Sequence, residues 1–130
     1  MARVTVVNDN PDFLELVRDI LEDDRYDTTT IDGDRDDALD AIRVSRPDLL
    51  MIDLRKGSQE LHGWDLAQQA RRQPELVGLP ILVCSADSAA LEAIKDQLAA
   101  TQHVATLTKP FRIDALTAAI DRLLAEVARS

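Results

Sequence analysis

Two textures alternate along this chain: short, nearly unbroken apolar runs, and longer stretches in which apolar residues return every three or four positions. Val4-Thr5-Val6-Val7, Leu49-Leu50-Met51-Ile52 and Ile81-Leu82-Val83-Cys84 are the clearest runs. A run without polar alternation reads as a strand buried on both faces, the pattern of a parallel sheet covered by helices. Tyr26-Asp27-Thr28-Thr29-Thr30-Ile31 has strand propensity but too much polarity for a central position, which predicts an edge strand. Val104-Ala105-Thr106-Leu107-Thr108 predicts a last short strand.

The periodic stretches lie between these runs. Phe13, Leu14, Val17, Ile20 and Leu21 share one helical face, with Asn10 as N-cap and Pro11 at the first helical position. A second helix runs through Ala38, Leu39 and Ile42 and stops before Arg46-Pro47, because a proline pushes its predecessor out of helical space. Gly63-Trp64-Asp65-Leu66 opens a third, ending near Pro74. Asp87 and Ser88 can cap a fourth that carries Leu91, Ile94 and Leu98, and Ile113, Leu116, Ile120, Leu123, Leu124 and Val127 mark a fifth.

Five strands alternating with five helices predict one α/β domain over residues 1–130, a single doubly wound parallel sheet. Parallel neighbours need right-handed crossovers, which place helices on both faces. With the polar second strand at one edge and the fifth at the other, the order is 2-1-3-4-5, and the topological switch falls between strands one and three. Asn8, Asp9 and Asp53 then meet at the carboxyl ends of the strands.

Composition narrows the function. Twenty-four Asp and Glu against fifteen Lys and Arg give a net charge of −9, which opposes binding to nucleic acid and to anionic membranes. The single cysteine, Cys84, has no internal disulfide partner, and no stretch has the length and flanks of a signal peptide or membrane span. The expected setting is therefore cytoplasmic, with no membrane insertion and no direct nucleic-acid contact. Aromatic residues make up 3% of the sequence, too few for a flavin site or a base-stacking platform.

Each predicted central strand ends in a polar side chain: Asn8-Asp9 after the first, Asp53 after the third, Ser85 after the fourth, with Lys109 following the fifth. Taken singly, each has a structural reading as a turn residue, a strand-end hydroxyl or a solvated charge. Together they form a chemical set. Converging carboxylates repel unless a cation lies between them, and all-oxygen ligands suit Mg²⁺. A lysine and a hydroxyl beside them can neutralise and hydrogen-bond a phosphoryl group that a carboxylate nucleophile has accepted.

On these residues the chain resembles the receiver domain of two-component response regulators, over essentially its whole length. The resemblance is carried by Val6-Val7-Asn8-Asp9-Asn10-Pro11, Pro47-Asp48-Leu49-Leu50-Met51-Ile52-Asp53-Leu54, Pro80-Ile81-Leu82-Val83-Cys84-Ser85-Ala86 and Leu107-Thr108-Lys109-Pro110-Phe111. It implies a flavodoxin-like fold similar to that of the chemotaxis regulators, and a phosphoprotein of a phosphorelay. Asp53 would form an aspartyl-phosphate, with a histidine kinase or histidine phosphotransfer protein as donor. Asp9 and Asp53 would ligate Mg²⁺ with the backbone carbonyl of Arg55, and Asn8 would reach the metal through a water. Ser85 would fill the family's Thr or Ser position, and Lys109 would contact the phosphoryl group. The output would be altered binding to a downstream protein, without an output domain and without an enzymatic reaction.

Three departures from the family pattern stand out. The usual acidic pair after the first strand is Asn8-Asp9, which bears on metal affinity. Nine residues, 54–62, separate Asp53 from Gly63, a longer loop than usual, with Lys56-Gly57 where Met-Pro is typical. Thr106 occupies the position that often carries an aromatic switch residue, so activation is expected to run through Ser85 and the loop before the fourth helix. An ion pair between Arg55 and Asp87 is expected to shield the phosphoryl group. The alternative reading is a degenerate receiver acting as a phosphorylation-independent interaction module. A haloacid-dehalogenase-like phosphatase would need a second Asp two residues after its nucleophile, where Asp53-Leu54-Arg55 has none. A flavodoxin-like electron carrier lacks its rings here.

Overall fold

The apolar runs become the middle of the sheet. A computed structural model describes residues 2–54, 62–86 and 88–128. Strands β1 (Arg3–Asn8), β2 (Asp27–Asp32), β3 (Leu49–Asp53), β4 (Ile81–Ser85) and β5 (Val104–Thr108) form one all-parallel sheet in the order β2-β1-β3-β4-β5. Helices α1 (Pro11–Asp23), α2 (Ala38–Ser45), α3 (His62–Arg71), α4 (Ser88–Ala93), α5 (Lys95–Ala100) and α6 (Ile113–Ala128) connect and cover it, with a 3-10 turn at Pro74–Leu76. No helix among the described residues is long and apolar enough to cross a membrane.

Strand alternation sorts the buried side chains into two cores. Leu50, Ile52, Ile81 and Val83 face α2, α3 and the α4–α5 pair, whereas Leu49, Met51, Leu82 and Cys84 face α1 and α6. Both faces are covered, which is why these strands carry no polar alternation. β2 and β5 have one neighbour each, and their mixed exposure matches their threonine-rich sequences. Thr5, a buried polar side chain of β1, hydrogen-bonds the Ser45 hydroxyl at 2.7 Å, and Ser45 in turn donates to the Ile42 carbonyl at 2.7 Å. A satisfied hydroxyl chain of this kind lets polar atoms sit in a core without a desolvation penalty.

Local chemistry sets the helix ends. Asn10 Oδ1 accepts from the N–H groups of Asp12 (2.9 Å) and Phe13 (3.3 Å), so the asparagine caps α1 and Pro11 needs no donor. α2 ends at Arg46, which takes a left-handed conformation (φ 48, ψ 60) before Pro47. One element differs from the sequence pattern. The fourth predicted helix is two short helices, α4 and α5, separated by Ile94 at φ −115 and ψ 12, so the described residues form six helices where five were expected. Leu98 N–H still bonds the Ile94 carbonyl at 2.9 Å. The chain therefore breaks without losing the inward phase of its apolar residues, and Ile94 is 1% exposed.

Candidate functional site

Parallel register brings the strand ends to a common height. Val7 pairs with Ile52, Asp53 with Cys84 and Ser85 with Thr108, which sets Asn8 beside Asp53 and places Ser85 one step and Lys109 two steps further along the same edge. In open α/β sheets that edge, at the switch in strand order, is where ligands bind. Here the switch lies between β1 and β3.

Asp53 sits at the centre of the constellation. Asn8 Nδ2 donates to Asp53 Oδ2 at 3.0 Å, and the Lys109 ammonium forms a hydrogen-bonded ion pair with the same oxygen. Both partners of the pair are partly buried, with side chains 16% exposed at Asp53 and 21% at Lys109. Asn8 is itself buried, and its Oδ1 accepts the backbone N–H of Asn10 at 2.8 Å, so both ends of the amide are used. Ser85 is buried on β4, and its carbonyl accepts the Lys109 N–H at 2.9 Å, which ties the start of the β5–α6 connection to the end of β4. The Lys109–Pro110 peptide is cis. Asp9 is exposed at the rim.

Two further residues shape the site. At Gly63 a Cβ would overlap the backbone carbonyl of Asp53, and the Gly63 N–H bonds the Leu54 carbonyl at 3.2 Å. Only glycine lets the start of α3 lie this close to the end of β3. On the other face, Lys109 Nζ lies 4.1 Å from the ring centroid of Phe13, which meets Phe111 edge-on at a centroid distance of 6.2 Å. Helical spacing had assigned Phe13 to the core face of α1 and nothing more. No local pattern connects positions 13 and 109.

The other candidates fall into place around this centre. Burial pushes the Cys84 thiol up to about 12, with Lys109 pulling it down and Asp53 pushing it up by smaller amounts, so Cys84 is a packed thiol and not a thiolate nucleophile. Thr106 is exposed on β5. Arg55, Lys56, Gly57 and Asp87 lie outside the described residues, and with them the expected carbonyl ligand and the Arg55–Asp87 ion pair. Among the described residues no three His, Cys, Asp or Glu side chains converge as a metal cluster. The oxygen donors at the end of β3 are the Asp53 carboxylate and, hydrogen-bonded to it, the Asn8 amide, while Asp9 follows β1 as an exposed residue.

Chemically, the arrangement is a fixed carboxylate with a cation and an amide N–H on one oxygen, and a buried serine on the neighbouring strand whose carbonyl holds the backbone of that lysine. A lysine shared in this way can pass from a carboxylate to an incoming anion without leaving the site.

Comparison with known proteins agrees with this fold. The family model described as the response regulator receiver domain matches residues 4–121. The nitrogen assimilation regulatory protein NtrX of Azorhizobium caulinodans is 32% identical over 124 residues, covering 93% of this chain but 26% of its own length, so the chain spans about a quarter of that relative. The chemotaxis response regulator CheY4 of Vibrio cholerae superposes with a TM-score of 0.78 at 25% identity, covering 95% of this chain and 98% of its own. The receiver domain of a Pseudomonas aeruginosa sensor histidine kinase, solved with a magnesium ion coordinated in its active-site cleft, has the same fold, with a TM-score of 0.76 at 24% identity over 95% of this chain and 98% of its own. The order of the strands and the family match agree: this chain belongs to the response regulator receiver domains of two-component signal transduction.

Proposed function

We propose that Asp53 accepts a phosphoryl group from a histidine kinase or a histidine phosphotransfer protein, in the cytoplasm, and that the modified domain signals by changing which downstream protein it binds. The observation that carries this reading is the paired donation of Asn8 and Lys109 to Asp53 Oδ2 at the switch point of a receiver-family sheet. In the transfer, a carboxylate oxygen of Asp53 forms the new P–O bond while the P–N bond to the donor imidazole breaks and the ring nitrogen keeps the electron pair. Lys109 moves from the carboxylate to a phosphoryl oxygen, and the Ser85 hydroxyl donates to another.

The donor chemistry at the crevice fits Mg²⁺, which favours carboxylate oxygens and retains waters. Asp9 and Asp53 are the residues that would hold it, with the Arg55 carbonyl as a further ligand. Asn8, whose Oδ1 already accepts the Asn10 N–H, is left an outer position reached through water. When bound, the ion supplies charge neutralisation for the phosphoryl oxygens. The magnesium-bound Pseudomonas receiver supports the assignment by likeness of fold.

Intact-mass analysis after incubation with Mg²⁺ and acetyl phosphate tests the reading. One base-labile phosphoryl adduct is expected, absent in Asp53→Asn. An adduct that persists in that variant would move the site elsewhere, and no adduct on the wild type would favour a phosphorylation-independent interaction module.

A further inference from the structure

We infer that Phe13 is a positioning residue for phosphoryl transfer: the face of its ring holds the Lys109 ammonium over Asp53. The inference rests on the reading of Asp53 as phosphoacceptor and adds a residue to that site. Lys109 carries its charge on a flexible four-carbon stem with many rotamers, so a lysine that must meet one oxygen needs something to restrict it. Two partners share its ammonium here. Asp53 Oδ2 binds it in an ion pair, and the Phe13 ring lies with its centroid 4.1 Å away. A cation above an aromatic face is attracted to the ring quadrupole, and more strongly where water is partly excluded, as it is around this lysine.

The ring is itself held in place. Its backbone N–H is fixed by the Asn10 cap at 3.3 Å, and its ring meets Phe111 at an interplanar angle of 82°. Phe111 stands two residues beyond Lys109, so the same connection that carries the lysine braces the ring beneath it. Aliphatic packing would be served equally by leucine, which fills most of the volume. Leucine has no π face, however, and would leave the ammonium with Asp53 alone. When the carboxylate becomes an acyl phosphate its charge moves outward, and an ammonium retained by the ring stays within reach of a phosphoryl oxygen.

Phe13→Leu and Phe13→Tyr in the full chain separate positioning from packing. Phe13 is only partly buried, so the tyrosine hydroxyl can reach solvent. Two quantities are read: the rate of phosphorylation by acetyl phosphate with Mg²⁺, and the ring-current shift of the Lys109 side-chain protons by NMR in metal-free protein. Phe13→Leu should slow phosphorylation about three- to tenfold and abolish the Lys109 shift, while Phe13→Tyr keeps both. A wild-type rate in Phe13→Leu overturns the inference, as does an equal loss in both variants, which would assign the effect to packing. If the wild type itself takes no phosphoryl group, the reading of Asp53 fails and the role in transfer fails with it; a Lys109 shift lost only in the leucine variant would then uphold the ring as the lysine's holder.

Discussion

The two faces of the sheet use the same strands but are roofed by different kinds of helix. α1 and α6, of 13 and 16 residues, cover one face, and α6 sets Leu116, Ile120 and Leu123 inward at helical spacing. The opposite face is covered by helices of 8, 10, 6 and 6 residues, and α5 has no buried residue of its own. A helix of six residues does not persist alone in water, so α4 and α5 exist only through their contacts. What stands out in those contacts is a seam. The Trp64 indole N–H on α3 donates to Gln97 Oε1 on α5 at 2.7 Å, and Ile94 plugs the break between α4 and α5. The lesson is a division of labour. Phe13 and the Lys109 connection belong to the long-helix face, while on the short-helix face the α4–α5 pair, with no residue of α5 buried, is where local opening is expected.

Cavities of equal chemistry on the two faces give the largest expected effect. Ile120 and Ile94 are 0% and 1% exposed. Ile120→Ala should lower the free energy of unfolding by about 4 kcal/mol, because a long rigid helix cannot collapse into the hole, and Ile94→Ala by about 2 kcal/mol, because a broken helix can. Urea titrations that return equal costs would end the comparison.

The crevice between the faces gives the next effect. Asn8→Asp replaces an amide donor on Asp53 with a second carboxylate, which should destabilise the metal-free fold by about 1 to 2 kcal/mol. The same substitution should tighten Mg²⁺ binding by about tenfold, the equivalent of about 1.4 kcal/mol after desolvation and repulsion are subtracted from the Coulomb attraction. Calorimetric titration with metal-free melting alongside reads both quantities. Affinity that stays the same or falls would show that Asn8 does not face the ion.

The smallest effect tests the seam itself. Trp64→Phe keeps the ring packing and removes the bond to Gln97, which should cost about 1 kcal/mol. Hydrogen exchange should quicken over residues 95–100 and stay unchanged in α6. Uniform acceleration throughout the chain would mean that the short-helix face does not open on its own.

Much of this architecture was legible in the sequence because burial writes itself into local patterns. Unbroken apolar runs marked β1, β3 and β4, threonine-rich polarity marked β2 as an edge, and Asn10-Pro11 marked the start of α1. The grouping of the candidate residues was legible because parallel register leaves strand ends level, so Asn8, Asp53, Ser85 and Lys109 could be gathered from strand boundaries alone. The break at Ile94 was not. Leu91, Ile94 and Leu98 keep helical spacing across it, and a single residue leaving helical space disturbs no side-chain period. The amide of Asn8 was read as a lost acid near the metal, and only its placement reveals a donor to Asp53. Phe13 under Lys109 and Trp64 on Gln97 are contacts between distant parts of the chain. Each of those residues has an adequate local role that hides the second one.

Trp64 is also the only tryptophan in the chain. The buried indole, carried on α3 and hydrogen-bonded through its N–H to α5, reports from one defined environment when tryptophan is excited selectively over Tyr26. Any event at the crevice that shifts α5 by the width of a hydrogen bond changes the polarity around that ring. The protein thus carries a native optical gauge on the seam between α3 and α5, next in sequence to the glycine that abuts Asp53. Stopped-flow emission could follow loading of the site and movement of the short-helix face in one trace, with no dye attached.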